Sequence, residues 1–411
     1  MSRWDSFKRL STLMVTAFVD MMGFAIIFPL LPFYAEKLGA DAFKVGALVS
    51  VFFLAQLLSA PLWGKLSDRF GRRPVILSGL VVAAVAFVVF ELADAVWLLF
   101  LSRFIQGAGG GKTGVLQAYV SDMSLKENRA EALGWLSAAT SAGVMIGPVI
   151  GSATSANELF RPGFIAAGLC LVSLVFTWIW LPESFRPAPT VEPSDAVPEA
   201  GPEIGPPQGP VVWGLVAQVM RHPKTGIGPM VWIYASGMMA FMAMNAILVL
   251  YLEHRFEITE KTVGFFFFYV ASVSLVMRAF LLGPLVRRFG EVRVLKMGAL
   301  CVTVGLLAIP TARSIGELAL AVVLIPAGTA LLFPATTSLV SARAPAGSTG
   351  TVLGVHQGFG GVARMTGPLW SGAAYQSLGT RAPFWMAAVL MAAATVFSLS
   401  VSNDRRGEGD A

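Results

Sequence analysis

Residues 64–73 read GKLSDRFGRR, a short segment in which two glycines and several charged side chains separate two long apolar stretches. So short a connection joins the flanking stretches as two antiparallel, neighbouring helices. The pattern recurs in the second half of the chain, where residues 283–290 read GPLVRRFG between two further apolar stretches. The recurrence predicts that the chain contains two copies of one helical unit.

A second recurrence supports the same division. A glycine–proline pair at 147–148, preceded by Gly134, has its counterpart at 367–368, preceded by Gly354. Both recurrences have nearly the same offset along the chain. Parallel repeats that face a cavity at the membrane midplane are an architecture of transporters.

The composition predicts a protein with many membrane spans. Of 411 residues, 55% are hydrophobic and only 13% are charged, against about 25% in soluble domains. A soluble globular protein, a disordered chain and a disulfide scaffold are excluded, and Cys170 and Cys301 lie within apolar runs. Runs of sufficient length predict about twelve spans. They begin near Ser11, Phe43, Pro74, Val96, Glu131, Pro162, Ile227, Thr262, Arg293, Gly316, Thr349 and Pro383.

The distribution of basic residues predicts the orientation. Most of the 30 Lys and Arg residues fall in loops on the side of the amino terminus, which is therefore cytoplasmic. With an even number of spans, both termini are cytoplasmic. The first apolar run contains Asp20 and lacks a small-residue cleavage site, so we expect a retained helix rather than a signal peptide. The basic pI reflects these loops and does not indicate nucleic-acid binding.

A Pro-rich, acidic stretch separates the two halves. It is predicted to be a flexible linker, since it cannot form a core, and Val211–Met220 after it is predicted to be a short interfacial helix. The predicted organisation is therefore a six-helix bundle over 1–183, a cytoplasmic linker over 184–224 and a second six-helix bundle over 225–411. The fold class is an all-α membrane protein.

Three motifs together resemble the major facilitator superfamily, in particular its twelve-span drug:proton antiporter branch. The loop signature G-x-L-x-D-R-x-G-R-R is met in full by Gly64 to Arg73. The remaining signatures are met in span four by Leu99, Arg103, Gln106, Gly107 and Gly109, and in span five by Gly134, Gly143, Gly147, Pro148 and Gly151. Span five departs once from its signature, with Ser152 in place of a glycine.

Span one is most similar to the tetracycline-efflux subgroup, through residues 20–23 and 29–32. That subgroup also carries acids in spans three and nine and a histidine in span eight. The corresponding positions here are Ala86, Val302 and Ser274. The resemblance therefore implies a related antiporter whose proton path and substrate can differ.

The resemblance implies a conformational gate in the loop after span two and an exporter-type packing helix at span five. The gate residues are Gly64, Asp68, Arg69, Gly71, Arg72 and Arg73, and the packing residues are Gly134, Gly143, Gly147, Pro148 and Gly151. The alternatives are ordinary positive-inside anchoring for the loop and a purely structural packing face for the helix. The second copy of the loop carries Arg287 where the first carries Asp68, so any latch is asymmetric.

Charged residues inside apolar spans are functional candidates by default. Asp20 is the one clearly embedded carboxylate and is predicted to carry the proton. The alternative is that Asp20 forms a static ion pair with an embedded cation. The prediction would be weaker if Asp122 also reached the cavity. The resemblance ties Arg103 to proton coupling. If span four is one continuous helix, Lys112 lies on the face opposite Arg103. The candidate substrate cavity comprises Gln106, Lys112, Asn245, Arg278, His356, Gln357 and Arg364, although a lone helical histidine is more often a packing residue.

Enzyme and cofactor chemistry is not expected. Residues 107–113 are similar to a P-loop, but that motif requires a glycine at the position of Gln106. The three histidines are scattered, so neither a metal site nor any other cofactor site is predicted.

We therefore expect a monomeric, multi-pass transporter of the inner (cytoplasmic) membrane. Its partners are a small-molecule substrate, protons and the lipid bilayer, with no nucleic acid. The expected activity is proton-coupled antiport that exports a small amphiphilic compound, as in drug or tetracycline efflux. The alternatives are export of an endogenous anionic or lipid-like metabolite, nutrient uptake by uniport or symport, and a receptor or scaffold. Four embedded cations against one embedded acid favour an anionic substrate.

Overall fold

A computed structural model describes residues 3–124, 128–155, 161–184, 209–345 and 348–401, and every regular element in these ranges is helical. A π-helical segment occupies Met277–Leu281, and a 3₁₀ turn occupies Ile309–Thr311. The helices are α1 (Arg3–Ile27), α2 (Leu31–Lys37), α3 (Ala42–Phe70), α4 (Arg72–Glu91), α5 (Val96–Gly109), α6 (Lys112–Met123), α7 (Arg129–Thr154), α8 (Pro162–Trp180), α9 (Gly209–Arg221), α10 (Gly228–Phe256), α11 (Val263–Val276), α12 (Leu282–Phe289), α13 (Glu291–Ala308), α14 (Ile315–Ala342), α15 (Thr349–Leu378) and α16 (Ala382–Ser398).

The chain is a multi-pass membrane protein. Within the described ranges, nine helical segments are long and apolar enough to cross a membrane. α16 is apolar but shorter, at 17 residues, and α15 is 30 residues long. Most of the predicted linker lies outside the described residues, but its expected short helix is present as α9.

The two repeated loops share one backbone conformation. Gly71 between α3 and α4 has φ 97° and ψ 161°, and Gly290 between α12 and α13 has φ 79° and ψ 159°. Positive φ values of this kind favour glycine because it has no Cβ. Each glycine therefore permits a tight reversal between the two helices that it joins, and the two loops repeat in backbone conformation as well as in sequence.

Glu183, which follows α8, holds the first of these loops. Its carboxylate oxygens accept hydrogen bonds from the backbone N–H groups of Arg72 (2.9 Å) and Arg73 (3.1 Å). The carboxylate fills the space beside Gly71 where a Cβ would stand, 2.6 Å from its Oε2. Glu183 thus satisfies two N–H groups that the start of α4 leaves without helical partners.

We expect Glu183→Gln to lower the stability of the purified protein by about 1 kcal/mol, as the loss of a helix cap does. The amide can accept only one of the two hydrogen bonds. Thermal unfolding in detergent measures the change as a lower Tm. Asp94→Asn, at an exposed loop residue, is the matched control. An unchanged Tm for Glu183→Gln would contradict the capping role.

Glycines allow α7 to pack directly on α1. A Cβ added at Gly143, Gly147 or Gly151 would lie under 3.0 Å from a backbone carbonyl oxygen of α1, the partners being Phe18, Met22 and Ile26 in that order. Gly134, the remaining glycine of the signature, faces open space. In the second half, Gly367 of α15 approaches the carbonyl oxygen of Met239 in α10 in the same way. Close backbone contact of this kind is typical of helix pairs in membranes.

The two ends of the molecule differ. We call the end that carries the α3–α4, α12–α13 and α14–α15 connections the linker end, and the other end the far end. At the far end, α3 packs on α15 and α11 packs on α7. In these contacts a Cβ at Gly46 or Gly264 would collide with the carbonyl oxygen of Pro368 or Pro148, respectively. The two halves therefore touch through a pair of equivalent glycine–proline contacts, and they close the molecule at the far end.

Candidate functional site

A cavity of about 850 Å³ lies between α7, α10, α14, α15 and the π-helical segment, and it reaches the linker end of α14 at Ser341 and Ala342. Its lining combines aromatic rings, hydroxyl groups, one amide and one guanidinium. The lining includes Ser137, Tyr234, Arg278, Phe333, Thr337 and Gln357. The size is that of a pocket for a drug-sized ligand.

Two of the predicted cavity residues, Arg278 and Gln357, line this cavity. The Tyr234 hydroxyl donates a hydrogen bond to Gln357 Oε1 at 3.1 Å. His356 lies beneath the lining with its ring centroid 4.0 Å from that of Tyr234 and its Nε2 3.5 Å from the Thr337 hydroxyl. His356 is completely buried, and its ring supports the aromatic wall of the cavity.

The other predicted cavity residues lie outside this lining. Gln106 is buried, and its Oε1 has no hydrogen-bond partner among the described residues. Asn245 donates to the carbonyl oxygen of Phe241 within its own helix, at 2.8 Å. Arg364 is half-buried on α15, close to Tyr234. Lys112 belongs to a separate polar cluster in the first half.

That cluster is built on a buried ion pair between α1 and α6. Lys112 Nζ lies 2.6 Å from Asp20 Oδ1, and the side chains are only 3% and 10% exposed. Lys112 Nζ also donates to the carbonyl oxygen of Gly79 on α4, at 3.1 Å. Of the two expectations for Asp20, an ion pair with an embedded cation is therefore present in this conformation.

The predicted opposition of Arg103 and Lys112 is wrong. Both side chains contact α4, Arg103 at Phe90 and Lys112 at Gly79. The prediction used one ideal α-helix, but α5 ends at Gly109 and α6 begins at Lys112, and the N–H groups of Gly110, Thr113 and Gly114 bond three residues back. Because the helix is interrupted between the two residues, a projection of one ideal helix does not give their relative directions.

Arg103 is buried without a carboxylate partner in the described part of the chain. Its guanidinium carbon lies 5.0 Å from the ring centroid of Phe90, and its Nη2 lies 3.4 Å from the Ser102 hydroxyl. The Ser102 hydroxyl in turn donates to the carbonyl oxygen of Ala86 on α4. Arg103 is thus held against α4 by an aromatic face and one weak hydrogen bond.

The predicted gate residues form a charge cluster at the linker end. Arg72 Nη1 lies 2.7 Å from Asp68 Oδ1, and Arg72 Nε lies 3.1 Å from Asp122 Oδ2. Arg73 donates to the carbonyl oxygen of Trp178 in α8, and Arg69 is exposed. Asp122 therefore belongs to this surface cluster and not to the cavity.

The second copy of the loop exchanges the charges. Arg287 stands where the first copy has Asp68, and Glu291 stands where it has Arg72. Glu291 accepts a hydrogen bond from the Ser338 hydroxyl of α14 at 2.6 Å. The two linker-end clusters therefore hold their helices through different partners, as the predicted asymmetry requires.

A second charge network at the far end was not predicted. Lys37 Nζ lies 2.7 Å from Glu260 Oε2, and Glu36 Oε1 lies 3.5 Å from His254 Nε2. The other ring nitrogen of His254 lies 2.9 Å from the Tyr375 hydroxyl. These contacts join α2 of the first half to α10, α15 and the α10–α11 loop of the second. The sequence shows the charges in short loops but not which ones meet across the halves.

Ser152 also bridges the two halves at the far end. Its hydroxyl oxygen accepts a hydrogen bond from the backbone N–H of Gly264 at 2.7 Å. Ser152 is the one position at which span five departs from its signature, so the departure adds a contact where α7 and α11 meet.

Membrane-spanning helices in two similarly packed halves, buried charges between the helices and a cavity open at one end define a membrane transporter rather than an enzyme. The chain belongs to the Major Facilitator Superfamily, whose sequence description matches residues 13–368 and 231–410.

Relatives with similar sequences include tetracycline and multidrug resistance proteins. The chain is 28% identical to the class B tetracycline resistance protein of Escherichia coli over 359 residues, covering 87% of this chain and 86% of the relative. It is 27% identical to multidrug resistance protein 2 of Bacillus subtilis over 386 residues, covering 92% and 91%.

Solved transporter structures share the fold. The human organic anion transporter MFSD10 (TETRAN) superposes with a TM-score of 0.69 at 22% identity, covering 97% of this chain and 100% of that one. A bacterial homologue of the lysosomal transporter Spinster, in its inward-facing and occupied conformation, gives 0.77 at 14% identity, covering 97% of each chain.

Proposed function

We propose that the protein is a proton-coupled antiporter that exports a small amphiphilic organic compound across the cytoplasmic membrane by alternating access. It functions as a monomer, with both termini in the cytoplasm. Two six-helix bundles, 1–183 and 225–411, rock against each other, and 184–224 forms the cytoplasmic linker between them. Nine apolar segments, the α5–α6 pair, α15 and α16 together make the twelve spans of this topology.

The observation that carries this proposal is the buried Asp20–Lys112 ion pair. Each of these two buried charges compensates the other, and removing either one leaves its partner as an unpaired buried charge at a high cost. When Asp20 takes up a proton, the carboxylate charge disappears and Lys112 must find another partner or another environment. Proton occupancy therefore favours a different arrangement of α1, α4 and α6, as a coupling ion must do in order to drive a conformational change.

The direction of opening corresponds to one step of the proposed export cycle. With the linker end in the cytoplasm, the cavity opens inward while the glycine–proline contacts and the Lys37–Glu260 pair close the outside. The conformation is then the one that has released its proton and receives substrate from the cytoplasm. Rocking of the halves breaks the far-end contacts and exposes the cavity to the outside.

The names of the relatives support a drug-like substrate, since both are called resistance proteins. The cavity supports the alternative that the substrate is an endogenous anionic metabolite, because Arg278 is the one charged residue among the described residues of its lining. Both candidates use the same site and the same proton coupling. Growth inhibition across varied drugs in an efflux-deficient host would distinguish them.

The proposal is tested by flux into proteoliposomes with the membrane potential clamped by potassium and valinomycin. The probes are tetracycline, ethidium and 2-naphthoate, which differ in charge. For an antiporter, an acidic lumen drives at least one probe above its equilibrium level, and a protonophore abolishes the accumulation. Accumulation under the reversed gradient would indicate a symporter, and equilibration regardless of the gradient would indicate a uniporter.

We expect Asp68→Ala to shift the population of inward- and outward-open states, because it changes the charge that the first half presents at the linker end, where the two halves meet when that end closes. Cysteine accessibility from the two sides of the membrane reports the shift. Asp94→Ala, at an exposed loop residue of the far end, is the control. Unchanged accessibility together with unchanged transport would leave only an anchoring role for the loop.

A further inference from the structure

The embedded cations fall into two groups. Lys112 is neutralised by Asp20, and Arg103 is packed against Phe90. For Arg278 and Arg364, by contrast, the described residues offer no hydrogen-bond or ion-pair partner. Positive charge without a carboxylate partner among the described residues therefore remains on Arg103 in the first half and on Arg278 and Arg364 in the second. Of these three arginines, Arg278 is the one that lines the cavity.

Arg278 lines the cavity from a segment of unusual backbone, and its side chain is exposed. It lies in the π-helical segment between α11 and α12, and π segments occur mostly as single turns and frequently at functional sites. Arg278 is about 16 Å from Phe289, the linker end of this span, at 1.5 Å per residue. Arginines near helix ends can extend to the membrane surface, but Arg278 is too deep to do so and faces the cavity instead.

The rest of the cavity suits the remainder of an amphiphilic anion. Tyr234 and Phe333 meet edge to face with centroids 5.5 Å apart, which gives an aromatic wall. Hydroxyl groups of Ser137 and Thr337 and the Gln357 amide supply neutral hydrogen-bonding groups. Among the described residues, the lining contains no carboxylate, and the nearby Glu291 accepts a hydrogen bond from Ser338 at the mouth. Within the lining a cation would therefore meet a guanidinium of like charge, whereas a carboxylate or sulfonate would meet one of opposite charge.

We propose that this cavity selects monoanionic aromatic amphiphiles, with the acidic group held by Arg278 and the ring system placed against Tyr234 and Phe333. Arg364 lies close to Tyr234 and strengthens the positive potential without contacting the ligand. A guanidinium can bind a carboxylate through two parallel hydrogen bonds, so Arg278 gives orientation as well as attraction. This inference names the substrate class and rests on the proposed transport function.

The test measures binding of three compounds of one shape to the purified, full-length protein by calorimetry. They are 2-naphthoate, 2-naphthamide and (2-naphthylmethyl)trimethylammonium. We expect naphthoate to bind about tenfold or more tightly than the amide, the difference that a hydrogen-bonded charge gives. Arg278→Gln removes this difference, and Arg278→Lys keeps part of it. Arg313→Gln, at an exposed loop residue of the far end, leaves it unchanged.

The proposal is overturned if the ammonium compound binds at least as tightly as naphthoate, or if naphthoate does not bind at millimolar concentration. It is also overturned if a folded Arg278→Gln protein, judged by gel filtration and Tm, retains the tenfold preference. Binding needs no proton gradient, so its outcome is separate from that of the antiport. Gradient-driven accumulation of ethidium without naphthoate binding would leave the antiporter standing and remove only the anion site.

Discussion

The Asp20→Asn variant should bind substrate and lose uphill export altogether. An asparagine cannot cycle between a charged and a neutral form, so a proton gradient has nothing to act on at this position. Downhill movement of substrate can continue, because the cavity residues are unchanged. Accumulation of tetracycline, ethidium and 2-naphthoate in acid-loaded proteoliposomes measures the loss of uphill export. Substrate exchange without a gradient measures the downhill movement that remains.

Stability must be separated from coupling in this experiment. Asp20→Asn leaves Lys112 without its carboxylate partner. Removing one partner of a buried ion pair lowers the stability of the folded protein by about 3–5 kcal/mol. The double variant Asp20→Asn/Lys112→Gln removes both charges and should recover the Tm but not uphill export. Asp41→Asn, in which the new side chain can still cap α3 as Asp41 does, is the matched control. Uphill export by the folded double variant would refute the role of Asp20.

The second large effect is expected from Gly264→Ala. The new methyl group would collide with the carbonyl oxygen of Pro148, so α11 and α7 could no longer meet at the far end. Overpacking of this kind costs about 1–3 kcal/mol, enough to shift a two-state population by tenfold or more. Gly46→Ala, at the equivalent contact with Pro368, should have the same effect. Both variants should favour the outward-open state.

Spin labels on Asp94→Cys and Arg313→Cys, in a background with Cys170 and Cys301 replaced, report the opening. These loop residues belong to different halves and are exposed at the far end, so their separation should increase in Gly264→Ala. Gly134→Ala is the control, because an added Cβ there meets nothing within 4 Å. An unchanged distance distribution in both Gly264→Ala and Gly46→Ala would contradict the assignment of these contacts to closure.

Features that depend on local pattern could be predicted from the sequence. Gly71 and Gly290 lie in short charged loops where the chain reverses direction, and both adopt positive φ. The glycines of α7 recur at helical spacing, and three of them face the carbonyl groups of α1. The lengths of the apolar runs predicted the membrane-spanning helices, because a helix needs a minimum length to cross the membrane.

Features that depend on pairing between distant segments could not be predicted. The contacts of Lys37 with Glu260 and of Glu36 with His254 form across the two halves in one conformation, and a single sequence does not show which loops meet. The direction of Lys112 could not be predicted because the chain is interrupted between α5 and α6, at Gly110 and Gly111, whereas the prediction used one ideal helix. The exposure of Arg278 to the cavity likewise depends on a π-helical turn, for which residues 277–281 give no clear signal.

Proton release on substrate binding tests the central claim most directly, because it needs neither a membrane nor a gradient. The purified protein is mixed with 2-naphthoate or tetracycline in weakly buffered detergent solution, and the pH change is recorded. If Asp20 carries the coupled proton, at least one probe releases protons from the wild-type protein and from Asp41→Asn. The Asp20→Asn/Lys112→Gln variant then binds the same probe without release. Equal release from that variant and the wild type would contradict the account.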